Sequence, residues 1–201
     1  MRAESIVFAI AGIVFGFIVG WIVGAQQASQ SSPVVTTAPQ TLTSGATNQT
    51  RQPPVLDEDR VKVLTTIIEN DPEQVDAKVQ LANLYYDAAQ FEDAIGWYEA
   101  ALAIDESNVD ASTDLGVSYY YTNQADRALK QFDYSLSIDP NHIATLLNQG
   151  IVRAFGKQDL GGAIVSLERV VEVAPTSQEA QVARQAIQSL GAVHSSDAGV
   201  D

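Results

Sequence analysis

The stretch Val75-Asp76-Ala77 recurs 34 residues later as Val109-Asp110-Ala111, and this offset decides the fold. The same offset relates further apolar and small residues. The pairs are Leu81 and Leu115, Tyr85 and Tyr119, Tyr86 and Tyr120, Gln90 and Gln124, Ala94 and Ala128, Tyr98 and Phe132, and Leu102 and Leu136. Apolar residues at helical spacing in each unit, with Pro72 and Pro140 in the turns, predict an all-α stack of helical hairpins.

These landmarks resemble the tetratricopeptide repeat, in which two antiparallel helices carry characteristic large, small and aromatic residues before a Pro turn. The matching residues are Leu81, Ala82, Tyr85, Ala94, Tyr98 and Ala101 in residues 75–108; Leu115, Gly116, Tyr119, Ala128, Phe132 and Pro140 in residues 109–142; and Gly150, Ala163, Leu167 and Pro175 in residues 143–177. The resemblance implies three repeats within residues 57–191, in a right-handed superhelix of about eight helices.

Small residues explain how two helices of one hairpin approach each other. Ala82, Gly116 and Gly150 let the first helix press against the second, so added bulk at Gly116 or Ala128 should overpack the crossing by roughly 1–3 kcal/mol. Several positions depart from the family pattern. Lys78 and Ser112 replace a large residue, Glu106 replaces Pro, Arg153 replaces an aromatic residue, and the turn from Gly156 to Leu160 holds one extra residue.

Flanking helices are predicted on both sides of the repeats. Residues 57–74 form an N-terminal capping helix that uses Leu64, Ile67 and Ile68 as core residues. Residues 178–191 form a C-terminal capping helix that Ser177 can cap and Gly191 ends, followed by a disordered tail over residues 192–201. The polar side chains that this last helix should expose are Gln181, Arg184, Gln185 and Gln188.

In the tetratricopeptide family the first helix of each hairpin lines a concave face. The corresponding residues here are Val79, Asn83, Tyr86, Asp87, Thr113, Val117, Tyr120, Tyr121, Leu147, Ile151, Ala154 and Phe155. Such an aromatic and aliphatic surface suits an extended peptide or a partner's helix. Family members that hold a C-terminal carboxylate use Lys, Arg and Asn at these positions, and only Asn83 matches, so an acidic C-terminus is not the expected ligand.

An apolar segment at the start of the chain predicts a membrane anchor over residues 1–24. No side chain from Ile6 to Val23 is charged, and 12 of these 18 residues are Ile, Val or Phe. The apolar length exceeds that of a usual signal peptide, although Val23-Gly24-Ala25 offers small residues for cleavage. Arg2 precedes the segment, which predicts a single-pass protein of the bacterial plasma membrane with its C-terminal domain outside the cytoplasm.

Gly12, Gly16, Gly20 and Gly24 recur every four residues, so they share one face of the predicted membrane helix. A small-residue face lets a second helix approach closely, which favours a homo-oligomer or pairing with another membrane protein. Residues 25–56 are rich in Gln, Ser, Thr and Pro, and they predict a disordered linker.

Composition argues against several other functions. With 25 acidic and 11 basic residues, the chain has no basic block to neutralise phosphates, so nucleic-acid binding is not expected. Cysteine is absent, and the two histidines, His142 and His194, fall in a turn and in the tail. We therefore predict no enzyme, no metal and no cofactor. Gly150 and Gly156-Lys157 match a P-loop in neither spacing nor context.

The sequence therefore predicts a membrane-tethered scaffold that binds a peptide or helix of a partner protein. The layout of anchor, linker and three repeats resembles bacterial membrane-bound tetratricopeptide proteins, including adaptors of cytochrome c maturation. A self-associating structural assembly factor is the alternative, and the two differ in whether a partner or a second copy covers the repeats.

Overall fold

The computed structural model describes residues 55–197. Within this range the chain is all-α, as predicted, with no strand. The helices are α1 (Glu58–Asn70), α2 (Val75–Asp87), α3 (Phe91–Leu102), α4 (Val109–Tyr121), α5 (Ala125–Ile138), α6 (Ile143–Ile151), which continues into a π-helical turn (Val152–Gly156), α7 (Leu160–Val173) and α8 (Gln178–Asp197).

The predicted membrane helix, its glycine face and nearly all of the predicted linker lie outside the described residues. Between residues 55 and 197, no helix combines the length and the apolar character needed to cross a membrane.

The 34-residue offset sets the positions of the first helices. Helices α2, α4 and α6 begin at Val75, Val109 and Ile143. Each of them packs against the helix that follows it, and α3 and α5 pack in turn against the first helix of the next hairpin. Consecutive hairpins therefore stack side by side and share one core, because no single hairpin can bury its apolar faces alone.

A left-handed residue closes the turn inside each hairpin. Ala89, Asn123 and Gln158 have φ values of 58°, 61° and 56°. In the first two hairpins the residue after the turn donates its backbone N–H to a carbonyl five residues earlier, Gln90 to Tyr85 and Gln124 to Tyr119, both at 2.8 Å. These bonds satisfy carbonyls at the end of the first helix, which offsets the conformational cost of a non-glycine residue in this region.

The extra residue of the third repeat is accommodated by the π-helical turn. Gln158 lies 35 rather than 34 residues after Asn123, and the widened turn Val152–Gly156 precedes it. The sequence placed the extra residue after this turn, between Gly156 and Leu160. A π-turn absorbs one residue without breaking the helix, so the reversal that follows keeps its geometry.

The predicted close contacts between helices are confirmed. Ala82, Ala94, Ala128 and Ala163 are fully buried. An added Cβ on Gly116 would lie 2.5 Å from the Phe132 ring. The first and second helices of the hairpin therefore meet at a distance that only a residue without a side chain permits.

Lys78 and Ser112, two of the polar residues that replace family landmarks, are hydrogen-bonded inside the fold, whereas the buried Nε of Arg153 has no hydrogen-bond partner. The Lys78 Nζ donates to the Pro72 carbonyl at 2.6 Å. The Ser112 hydroxyl is fully buried, lies 2.7 Å from the Ser135 hydroxyl and accepts from Gln131 Nε2 at 2.7 Å. Because Lys78 and Ser112 each have a partner, these two substitutions cost less than an unsatisfied buried polar group would.

Most of the features predicted for the two helices that flank the repeats, α1 and α8, are present in the structure. Asp57 caps α1 by accepting the Arg60 N–H at 3.1 Å, and Ser177 caps α8 by accepting the Ala180 N–H at 3.1 Å. Leu64 is buried, but Ile67 is 41% exposed, so its prediction as a core residue was wrong.

Val61 and Ile68 pack around Leu64 instead. Ile67 lies about 100° around the helix from Ile68 and about 120° from Val61, so it falls at the edge of this face. At the other end of the domain, α8 continues past Gly191, its predicted end, to Asp197. A glycine in an exposed helix interior weakens the helix by only about 1 kcal/mol, which does not force an end.

Candidate functional site

The surface formed by α2, α4 and α6, called the first-helix face below, carries the predicted binding residues. Those that are at least partly exposed are Val79, Asn83, Tyr86, Asp87, Tyr120, Tyr121, Ile151 and Phe155. Those that are buried are Thr113, Val117, Leu147 and Ala154. The predicted set therefore divides into side chains that a ligand could touch and side chains that belong to the core.

The buried members hold repeats together. The Thr113 hydroxyl donates to the Val109 carbonyl at 2.8 Å and lies 2.6 Å from the Thr145 hydroxyl of the next repeat. Val117 joins the core cluster of the first two repeats, and Leu147 joins that of the third. They differ from their exposed counterparts because α6 covers this part of α4 and α8 covers this part of α6.

Aromatic rings link the first two repeats at one end of the face. Phe91 stacks on Tyr121 with ring centroids 4.3 Å apart, and the edge of Tyr86 meets Phe91 at 5.5 Å. Tyr120 lies beside this group but also packs under the π-turn, since a Cβ on Gly156 would come within 3.1 Å of its ring. Tyr86 and Tyr121 thus remain the aromatic candidates for ligand contact, while Tyr120 has a packing role.

Sequence reasoning missed Asp114, a partly exposed residue on α4. Its carboxyl lies within hydrogen-bonding range of the Tyr98 hydroxyl, which donates its one proton to Asn83 Oδ1 at 2.6 Å. Burial, followed by the negative charges of Asp110 and Asp87, raises the pKa of the Asp114 carboxyl to about 7. The carboxylate of Asp114 is therefore held in an environment that disfavours its charge.

A signal for Asp114 was present in the sequence. Asp110, Asp114 and Tyr121 lie at helical spacing on one face of α4. Gln80 and Asn148 lie 34 residues before and after Asp114, so each repeat has a polar residue at this position. Only in the second repeat is that residue charged, and a charged residue in a half-buried position of a binding face is a candidate for recognition.

One cluster has the connectivity of a nucleophile-activating triad. His142 Nε2 lies 3.1 Å from Asp110 Oδ1, and His142 Nδ1 lies 2.7 Å from the Thr145 hydroxyl. However, Thr145 is fully buried and its hydroxyl also meets Thr113, so a substrate carbonyl has no approach to it. The cluster cross-links repeats 2 and 3.

Among residues 55–192, whose side chains the structure describes, no group of three or more His, Cys, Asp or Glu side chains is arranged to hold a metal ion. The exposed part of the first-helix face combines carboxylates, aromatic rings and aliphatic groups. This arrangement is suited to contacting another chain rather than to bond-making chemistry.

Comparison with known proteins gives the fold and the repeat type. Residues 82–123 match the family model described as TPR repeat, the tetratricopeptide repeat. No curated protein sequence matches the chain. The first TPR domain of human RPAP3 is similar in structure, with a TM-score of 0.58 and 19% identity over 65% of this chain and 99% of that one.

Two similar structures contain peptides. The first TPR domain of Spaghetti (RPAP3), bound to an HSP90 peptide, has a TM-score of 0.54 and 18% identity over 70% of this chain and 97% of that chain. The Yersinia enterocolitica chaperone SycD, in complex with a peptide of the translocator YopD, has a TM-score of 0.55 and 17% identity over 59% of this chain and 93% of that chain. Residues 82–123 therefore match the tetratricopeptide repeat in sequence, and the described helices have the fold of tetratricopeptide repeat domains.

Proposed function

We propose that residues 57–191 bind a peptide or helix of a partner protein on the first-helix face, and that residues 6–23 tether this module to a membrane. The observation that carries the binding role is the set of side chains left exposed there. Phe155 is 36% exposed and Ile151 and Tyr121 are partly exposed, beyond what packing between hairpins requires. Exposed apolar groups beside polar ones are typical of a protein contact surface.

Known peptide complexes of the fold support this proposal. Domains of similar structure hold peptides of HSP90, HSP70 and a secretion translocator. The HSP90 and HSP70 peptides end in Glu-Glu-Val-Asp and are acidic. The face proposed here carries Asp87 and Asp114, so its ligand is expected to differ in charge from those peptides.

Phe155→Ala should weaken binding of a peptide selected on the wild-type chain by about tenfold or more, because an aromatic anchor at an interface contributes disproportionately to affinity. Val165→Ala is the matched control. Val165 is 64% exposed on α7, the second helix of the same repeat, and its loss should leave affinity unchanged. The full chain in detergent is used to select peptides from a random display library, and affinities are measured by fluorescence anisotropy.

If no peptide is selected, or if Phe155→Ala and Val165→Ala bind alike, the first-helix face is not the binding surface. The self-association alternative has its own observation, because Val63 and Ile67 are exposed apolar residues on α1. A chain that selects no peptide but grows in size with concentration in analytical ultracentrifugation would favour that alternative. The adaptor role in cytochrome c maturation stays a prediction from layout.

The proposed tether is tested by extraction of membranes with alkaline carbonate. The full chain should remain in the pellet, because an apolar segment of about 18 residues inserts stably into a bilayer. Deletion of residues 6–23 should release the chain into the supernatant. A full chain that is released by carbonate would contradict the anchor, and digestion of residues 57–191 only after the cytoplasm is opened would contradict the proposed orientation.

A further inference from the structure

Two carboxylates lie on the neighbouring first helices of repeats 1 and 2. Asp87 ends α2, and Asp114 lies in the middle of α4. The charge of Asp87 contributes to the raised pKa of Asp114, and both carboxylates contribute to the raised pKa of Tyr98. The neutral Tyr98 hydroxyl donates to Asn83 Oδ1 at 2.6 Å, and Asn83 lies one helical turn before Asp87 on α2. Asp87 and Asp114 therefore lie on the same face beside Tyr98, and these two carboxylates are called the patch below.

Within residues 55–197 this patch lacks an ion-pair partner. No Lys or Arg in that range forms a salt bridge with Asp87 or Asp114. Arg60 on α1 acts on Asp87 through its charge, and no cation acts in this way on Asp114. A half-buried carboxylate without a counter-charge is unfavourable for folding, and a bound cation would remove that cost.

The first helices themselves supply no cation to the face. Lys78 is buried, and its Nζ donates a hydrogen bond to the Pro72 carbonyl. Arg153 pairs with Asp159 at 3.6 Å, next to the turn that starts α7. The face is therefore negative as well as apolar, which disfavours an acidic ligand and favours a basic one.

The surroundings of the patch suit a long basic side chain. Tyr86 directly precedes Asp87 on α2, and its pKa is raised by burial and by the charges of Asp114, Tyr121 and Asp87. Tyr86 contacts Phe91, and Phe91 stacks on Tyr121. Lys and Arg carry an aliphatic stem that packs on aromatic rings and a charged end that binds carboxylates, so they match both features of this site.

Apolar residues continue the face on either side of the patch. Val79 is partly exposed on α2, and at the end of the first helix of the third repeat Ile151 is partly exposed and Phe155 is exposed. We infer that the first-helix face binds a partner segment in which a Lys or Arg, seated beside Asp87 and Asp114, is flanked by apolar residues. This inference rests on the peptide-binding function proposed above.

The experiment compares peptides that the full chain selects from a random display library with those that variants select. The wild-type chain should enrich peptides with a Lys or Arg between apolar residues. The double variant Asp87→Asn, Asp114→Asn should bind these peptides about tenfold or more weakly, because it removes both partners of the bound charge. High salt should weaken wild-type binding more than binding by the double variant.

The control double variant Glu92→Gln, Glu168→Gln makes the same change in net charge. Both residues are exposed, on α3 and α7, away from the first-helix face. This control should bind like the wild type, and circular dichroism of all the variants establishes that each one is folded.

The outcomes separate the two proposals. Enriched peptides that are neutral or acidic, or that bind the Asp87→Asn, Asp114→Asn variant as tightly as the wild type, would overturn the cation site and leave the peptide-binding function standing. Equal weakening by the control double variant would also overturn the site, since net charge alone would then explain the effect. The absence of any enriched peptide would overturn both proposals.

Discussion

Gly116→Ala is expected to destabilise the chain by about 2 kcal/mol, although the same change usually stabilises a helix. The new Cβ would lie 2.5 Å from Phe132 Cε1 and 2.8 Å from Cδ1. The Phe132 ring is fully buried and rigid, so relief requires α4 and α5 to separate along the whole hairpin. Overpacking of a tight core typically costs about 1–3 kcal/mol, which outweighs the gain in helix propensity.

Gly96→Ala is the matched control, because nothing lies within 4 Å of a Cβ at that exposed position of α3. This variant should gain about 0.5–1 kcal/mol. Urea unfolding followed by far-UV circular dichroism gives both free energies. The prediction requires opposite signs for the two changes, and a second change, Phe132→Leu, should lessen the penalty of Gly116→Ala. Equal effects at Gly116 and Gly96 would mean that α4 and α5 do not meet as described.

The offset between repeats explains why so much of the fold was predictable. Val75, Val109 and Ile143 were placed at the starts of first helices, and the structure begins α2, α4 and α6 there. Each position of the repeat occurs more than once in the chain, so an atypical residue in one copy does not obscure the helix pattern that the other copies show. The π-turn Val152–Gly156 occurs in one repeat alone, and a single extra residue does not reveal which turn of helix will widen to hold it.

The candidate site was harder to predict than the fold because the exposure of each side chain depends on its direction around the helix axis and on the helices packed beside it. Each residue turns about 100° around a helix, so Thr113 and Asp114 differ in environment although they are adjacent. Thr113 is buried against Thr145, whereas Asp114 reaches the first-helix face. The repeat pattern identified the helix that lines the face, while the contacts of the next hairpin decided which of its residues remain accessible.

Asp114→Asn is expected to stabilise the chain at about pH 8 and to have little effect at about pH 4. The carboxyl has an ordinary pKa of 3.8, and in the folded chain burial and the charges of Asp110 and Asp87 raise its pKa to about 7. Between these values the folded state keeps a proton that the unfolded state has released. The stabilisation from the protonated Asp114 carboxyl is therefore complete below the ordinary pKa of 3.8. It is lost as the pH rises through the folded-state pKa of about 7.

The asparagine introduced by Asp114→Asn would carry no charge at any pH, and its amide N–H could donate to the Tyr98 hydroxyl oxygen. Each pKa unit corresponds to about 1.4 kcal/mol, and partial exposure of Asp114 reduces the full value, so we expect a gain of about 2 kcal/mol at high pH. Urea unfolding of both chains across this pH range measures the difference. Glu168→Gln, an exposed change of equal charge on α7, is the matched control and should change the free energy of unfolding by less than about 0.5 kcal/mol.

A gain that is the same at both pH values would show that Asp114 is not held in an unfavourable environment, and a loss at high pH would show that its charge has a partner in the folded chain. The expected gain has a functional meaning. A carboxylate that lowers stability at neutral pH, on a face suited to binding, is typical of a group kept for its ligand rather than for the fold. The same Asp114→Asn chain should therefore be more stable than the wild type and poorer at binding basic peptides.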